Sequence, residues 1–232
     1  MKKIIFYLVF FLICVFLVLP PIFVSPAEAQ IPDFKITYFK IALFILSLCI
    51  FWYFEYSARK YSLNLTSLIL ELGKIFLYFG ILITVNTVIT LTVFLITTDV
   101  SLSLSVEKNP VTFFLIAVNF LISAFYEESL YRLYLPVCLR TFADEIYNVF
   151  FKVKNSEVFR KRYFIFVNVS VEILCIAVFA LSHIYTGWIT VLNAALAGAV
   201  LRFAAVKNKT ILTGTISHFL YNLFIFTAAV LL

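Results

Sequence analysis

VTFFLIAVNFLISAFYEESLYRLYLPVCL, residues Val111–Leu139, is an apolar run broken near its middle by Glu127, Glu128 and Arg132. It is longer than the roughly 20 residues that cross a bilayer, and ionised groups at that depth are costly enough to point to function. The same pattern recurs towards the C-terminus. The only two histidines, His183 and His218, also interrupt apolar segments. Three polar clusters in three hydrophobic stretches predict one buried site in a helical membrane protein.

Composition agrees with that reading. Hydrophobic residues make up 64% of the 232-residue chain, charged residues 13%, and the mean hydropathy is +1.08, whereas a soluble domain is about 25% charged. Apolar runs predict seven spans, near Ile4–Leu19, Ile36–Phe54, Ile75–Thr97, Val111–Leu139, Glu172–Tyr185, Trp188–Val206 and Ile211–Leu232. No polar block is long enough to fold separately, so residues 1–232 read as a single membrane domain. The net charge of +6 belongs to short loops rather than one continuous face, which argues for topology and against nucleic acid as a partner.

With the N-terminus in the cytoplasm, Lys35, Lys40 and Lys108 fall on the outer side and Arg132 within a span. The other 14 of the 18 Lys and Arg residues then lie on the inner side, the asymmetry expected of cytoplasmic loops. The C-terminus would face outward. Residues 1–29 can also be read as a signal peptide, because Met1-Lys-Lys, an apolar run and Ser25-Pro-Ala-Glu-Ala-Gln30 carry an Ala-x-Ala cleavage pattern; a first transmembrane helix is the preferred reading. Either choice leaves the later spans in the same orientation. The longest polar connection, Arg140–Tyr163, is expected to include a helix at the membrane interface.

On a helix, Glu128 and Arg132 are four residues apart and share a face, while Glu127 is turned by about 100° from its neighbour. Arg132 is therefore expected to hold Glu128 ionised and leave Glu127 for proton transfer. His218 and Asn222 share a face in the same way, as do Phe179 and His183. Rises of 1.5 Å per residue put Glu127 about 20 Å in from Arg140 and His218 about 14 Å in from Lys209. His183 reaches a comparable depth, about 16 Å, only if its span begins at Glu172 and Tyr163–Val171 lies along the interface. Asn168, Ser170 and Glu172 suggest such a boundary.

Ser182 and Ser217 precede the two histidines, but neighbours on a helix point apart, so neither makes a Ser-His dyad. Cys14, Cys49, Cys138 and Cys175 are scattered, one to an apolar segment, with no metal-binding spacing.

Glu127-Glu128-x-x-x-Arg132, Phe179-x-x-x-His183 and His218-x-x-x-Asn222, in that order, resemble the motifs of the CPBP intramembrane proteases, the group that contains CAAX prenyl endopeptidase type II and the bacterial Abi proteins. The resemblance covers about 111–226. It implies an all-α polytopic protein of about seven transmembrane helices around an intramembrane catalytic cavity, cutting membrane-associated peptides or proteins near the surface of the lipid bilayer. On that resemblance Glu127 and His183 activate a water, His218 and Asn222 stabilise the oxyanion, and Glu128, Arg132 and Phe179 support them. A single Zn2+ on Glu127, His183 and His218 is the alternative to a metal-free glutamate mechanism. The absence of a His-x-x-x-His pair inclines the reading to the metal-free form.

Two other functions fit the composition: a catalytically silent peptide-binding or bacteriocin self-immunity protein, and a proton-coupled transporter, for which inverted repeats are missing. The expected location is a bacterial inner membrane.

Overall fold

Long apolar stretches without an internal helix breaker form the elements. The computed structural model describes residues 2–23, 36–56, 65–97, 109–151 and 157–231, and the expected cleavage pattern at Ser25–Gln30 lies outside them. The helices are α1 (Lys2–Ile13, extended by a π-helical turn Cys14–Val18), α2 (Tyr38–Phe54), α3 (Leu65–Thr97), α4 (Pro110–Glu127), α5 (Leu135–Phe150), α6 (Glu157–Leu181), α7 (Trp188–Asn208) and α8 (Leu212–Leu231). No strand occurs among the described residues. Five helical stretches there are long and apolar enough to cross a membrane, and α2 is a shorter apolar helix. The polytopic all-α class expected from composition is thus the observed one.

Local chemistry sets the ends. Asn109 caps α4, its Oδ1 accepting the Val111 N–H at 2.9 Å, with Pro110 in the first turn, where a missing N–H costs nothing. Thr37 caps α2 by accepting from the Lys40 N–H. Lys209, at φ 54°, takes the left-handed conformation that ends a helix after α7. Gly187, at φ 103°, sits between the short turn Ile184–Thr186 and α7, in a region of φ that favours glycine.

By contacts the chain forms two units, one of residues 1–27 and 134–195, the other of residues 28–133 and 196–232. In the first, α5 packs on α6 through an aromatic cluster of Tyr147, Phe151, Phe159, Tyr163 and Phe164. Arg140 ties the two helices together, donating to Asn168 Oδ1 at 2.8 Å and pairing with the Glu172 carboxylate. In the second unit, α8 packs on α3 and α4, and α2 packs on α4. Leu82, Ala197, Leu201 and Tyr221 form one core cluster there, and Phe125, Ala205 and Ile211 another.

Helix α6 corrects one expectation. It runs unbroken from Glu157 to Leu181, with no boundary at Glu172 and no separate interfacial segment over Tyr163–Val171. The polarity of Asn168 and Glu172 has a different cause: four residues apart on one face, they receive Arg140. The connection Arg140–Tyr163 is also more helical than expected, since its first part belongs to α5 and its last to α6.

Candidate active site

Between α4 and α5 the helix does not stop. Glu128–Tyr134 forms a π-helical segment, so Pro110–Phe150 is one continuous helical stretch. π-bulges are rare and cluster at functional positions. Pro136, in the first turn of α5, provides a local reason: it has no N–H for the turn before it, and its ring crowds the carbonyl four residues back.

This segment carries the most deeply buried charges described. Glu128 has no exposed surface and Arg132 is 4% exposed. Arg132 Nε stands 3.4 Å from Glu128 Oε2, an ion pair four residues apart, as the spacing predicts. The other oxygen, Oε1, lies 3.2 Å from Nδ1 of His218 on α8. A carboxylate held by arginine accepts and does not donate, so Nδ1 carries the proton in this contact. The pairing fixes the ring and turns Nε2 towards Glu127, whose Oε2 is 3.8 Å away. Glu127 Oε2 is buried and makes no hydrogen bond to another described group. Asn222, half-buried, lies one turn further along the same face of α8.

Two features let Glu128 lie against α8. Gly214, one turn before His218, has no side chain, and a Cβ there would come within 3.3 Å of Glu128 Oε2. Helix α8 is also pinned at its start, where Glu55 accepts from the Thr210 hydroxyl and, at 2.9 Å, from the Ile211 N–H. Thr213 then donates to Glu71 at 3.0 Å and Ser217 to the Ile75 carbonyl at 3.0 Å. Ser217 is therefore spent on packing, in line with its exclusion as a nucleophile. Neither Gly214 nor Glu55 stands out in the sequence, because a glycine in an apolar helix and an acid at the end of a span have many uses.

His183 belongs to the other unit and lies just past the end of α6, before the turn Ile184–Thr186, rather than inside a helix. Its Nδ1 is 2.9 Å from the Phe179 carbonyl and 3.3 Å from Ser182 Oγ, and the Phe179 ring meets the imidazole edge to face at 4.9 Å. A carbonyl only accepts, so Nδ1 is the protonated nitrogen and Nε2 keeps its lone pair in the neutral ring. Phe179, 2% exposed, holds His183 through both its ring and its backbone.

For a metal, Glu127 Oε2 and His218 Nε2 are donors of the right type, and the Glu128–His218 contact is the outer carboxylate that often accompanies a ligating histidine. Among the described residues, no group of three His, Cys, Asp or Glu is placed to hold a metal ion. No step below is routed through zinc.

Apolar helices that keep a diacid, an arginine and a histidine away from water make an integral membrane protein with one polar centre in its second unit. The profile of the type II CAAX prenyl endopeptidase Rce1-like family matches residues 109–224, half of the chain, and the chain belongs to that family. No curated protein and no solved structure matches it. The family makes it a CAAX-protease-type enzyme.

Proposed function

We propose that the chain is an intramembrane endopeptidase that hydrolyses peptide bonds of membrane-associated substrates with a water activated by Glu127. The observation that carries this is the 3.8 Å between Glu127 Oε2 and His218 Nε2. That distance is too long for a direct hydrogen bond and short enough for one oxygen atom to touch both. A water there loses its proton to Glu127 Oε2 as its oxygen attacks the scissile carbonyl carbon. The carbonyl oxygen takes the electron pair and accepts N–H donation from His218, its Nδ1 held by Glu128, and from the Asn222 amide. Collapse breaks the C–N bond, and Glu127 returns the proton to the leaving amine. His183 is assigned a role with the water only on the resemblance of Phe179-x-x-x-His183 to the family motif.

Glu128 and Arg132 set up the donor and do not touch substrate. An imidazolium with Nδ1–H on Glu128 keeps Nε2–H for the oxyanion, and Arg132 keeps Glu128 an acceptor. The family description makes prenylated C-terminal CAAX peptides the first substrates to try, followed by unmodified peptides near the membrane. The reading needs no metal.

The test is cleavage of such a library by the purified protein in detergent, read by mass spectrometry, with Glu127→Gln and His218→Ala alongside. Loss in both folded variants supports the protease. Folded wild-type protein that cuts nothing across the library would move the assignment to a peptide-binding or self-immunity protein. Chelator sensitivity, restored by Zn2+, would replace the metal-free step.

A further inference from the structure

Asn86 is the one carboxamide in the apolar stretch Thr66–Ile96 of α3. Its Oδ1 accepts the hydroxyl of Tyr221, on α8, at 3.1 Å. Tyr221 is 8% exposed and packs in the cluster of Leu82, Ala197 and Leu201. Polar side chains at such depth are used to bond one helix to another. Neither residue belongs to the site motifs, and α3 lies outside residues 109–224, the part that matches the family.

The pair completes a pattern. Thr213, Ser217 and Tyr221 recur every four residues on α8, and all three donate to α3, to Glu71 Oε2, the Ile75 carbonyl and Asn86. Each is followed directly by a residue of the site face: Gly214, against which Glu128 lies, then His218, which Glu128 holds, then Asn222. One residue turns a helix by about 100°. The edge bonded to α3 and the edge that carries the site therefore keep one angle over two turns. The middle bond is divided, since the Ser217 hydroxyl also lies 2.8 Å from the Thr213 carbonyl of its own helix. The third bond is the one beyond His218, level with Asn222.

We infer that Asn86 and Tyr221 are positioning residues for the site: their hydrogen bond closes a ladder from α8 to α3 that sets the rotation of α8, and so the aim of His218 and Asn222. Apolar contact alone holds two helices together over a range of rotations, whereas a hydrogen bond is directional and selects among them. Turning α8 would carry His218 Nδ1 off Glu128 and the Asn222 amide off the oxyanion. Asn86 and Tyr221 themselves touch neither water nor substrate.

The inference rests on the hydrolytic reading only for turnover; a second measurement is independent of it. Tyr221→Phe removes the hydroxyl alone, Asn86→Leu removes the acceptor, and the double variant removes both. His183 and His218 are the only histidines, so 15N-histidine labelling reports two rings, assigned with His183→Gln. In Tyr221→Phe and in Asn86→Leu the His218 ring signals should shift as Nδ1 loosens from Glu128, while those of His183 stay. Turnover should fall on the order of 10-fold with KM little changed, as for a small misplacement of catalytic groups. The double variant should be no worse than the worse single one, because one bond is lost in all three. Thr84→Val, which removes a hydroxyl that α3 spends on its own Gly80 carbonyl, should leave both readouts at wild type.

Unmoved His218 signals in folded Tyr221→Phe, additive losses in the double variant, or equal effects from Thr84→Val overturn the inference. A lower melting temperature with unmoved signals marks the pair as packing only. If Asn86→Leu does not fold, Tyr221→Phe decides. If wild-type protein cleaves no peptide, the hydrolytic reading has failed and the ring signals alone decide the role of Asn86 and Tyr221.

Discussion

Glu127 and Glu128 are neighbours with opposite fates. Glu128 has no exposed surface and lies between Arg132 and His218, while the Glu127 side chain is 22% exposed and offers a buried oxygen without a hydrogen bond among the described groups. Glu127→Gln should therefore cost about 10²- to 10⁴-fold in turnover, the range of a lost general base, and leave the melting temperature in detergent almost unchanged. Glu128→Gln should lower both, because the amide can no longer neutralise Arg132. A Gly214→Ala variant separates the two effects differently. Its Cβ would press on Glu128 Oε2 at 3.3 Å while meeting Leu201 at ordinary contact distance, and Glu128, held from two sides, has little room to give. Alanine favours the helix by about 0.5–1 kcal/mol over glycine, so stability should hold while cleavage falls, measured as kcat beside a thermal melt. From sequence the i, i+4 spacing of Glu128 and Arg132 was legible; that Glu128 also holds His218 was not, because the pairing spans 90 positions.

Helix α8 shows how an element is placed by partners that local sequence cannot announce. Its apolar pattern is readable, and so is the shared face of His218 and Asn222. Its anchoring is not, since Glu55 at the end of α2 receives the first turn of α8 across 156 positions. Glu55 is 6% exposed, and a carboxylate at a helix start is favoured by the unpaired N–H groups and the helix dipole. Glu55→Ala should lower stability by about 1–3 kcal/mol, the cost of stranding buried donors, and should speed amide exchange at the start of α8 before it affects α6. Uniform loss of protection through the whole chain would argue against a local anchor. The misread start of α6 has a related cause. Asn168 and Glu172 are polar because Arg140 docks on them, and polarity that serves a partner helix is indistinguishable in sequence from polarity that marks an interface.

At the scale of the chain, what the sequence offers is orientation. The excess of Lys and Arg on one side predicts an N-terminus in the cytoplasm, yet not every residue behind that excess is a loop charge. Lys74 pairs with Glu71 within α3, at 2.7 Å, Arg140 binds α6, and Arg202 serves the Arg132 carbonyl. Such residues are held by the fold whichever way it inserts. The charges free to report topology are those on exposed positions, and Arg160, Lys161 and Arg162, all exposed at the start of α6, are the densest such group among the described residues. A cysteine placed at 161, after Cys14, Cys49, Cys138 and Cys175 are replaced, should react with a membrane-impermeant maleimide only when the cytoplasmic face is open. A cysteine at 166, on the lipid-exposed and apolar part of the continuous α6, should resist labelling from both sides. Reaction at 161 from the outside of intact cells would invert the orientation, and with it the face from which a substrate must enter. Ready labelling at 166 would reinstate a helix that leaves the membrane before Glu172.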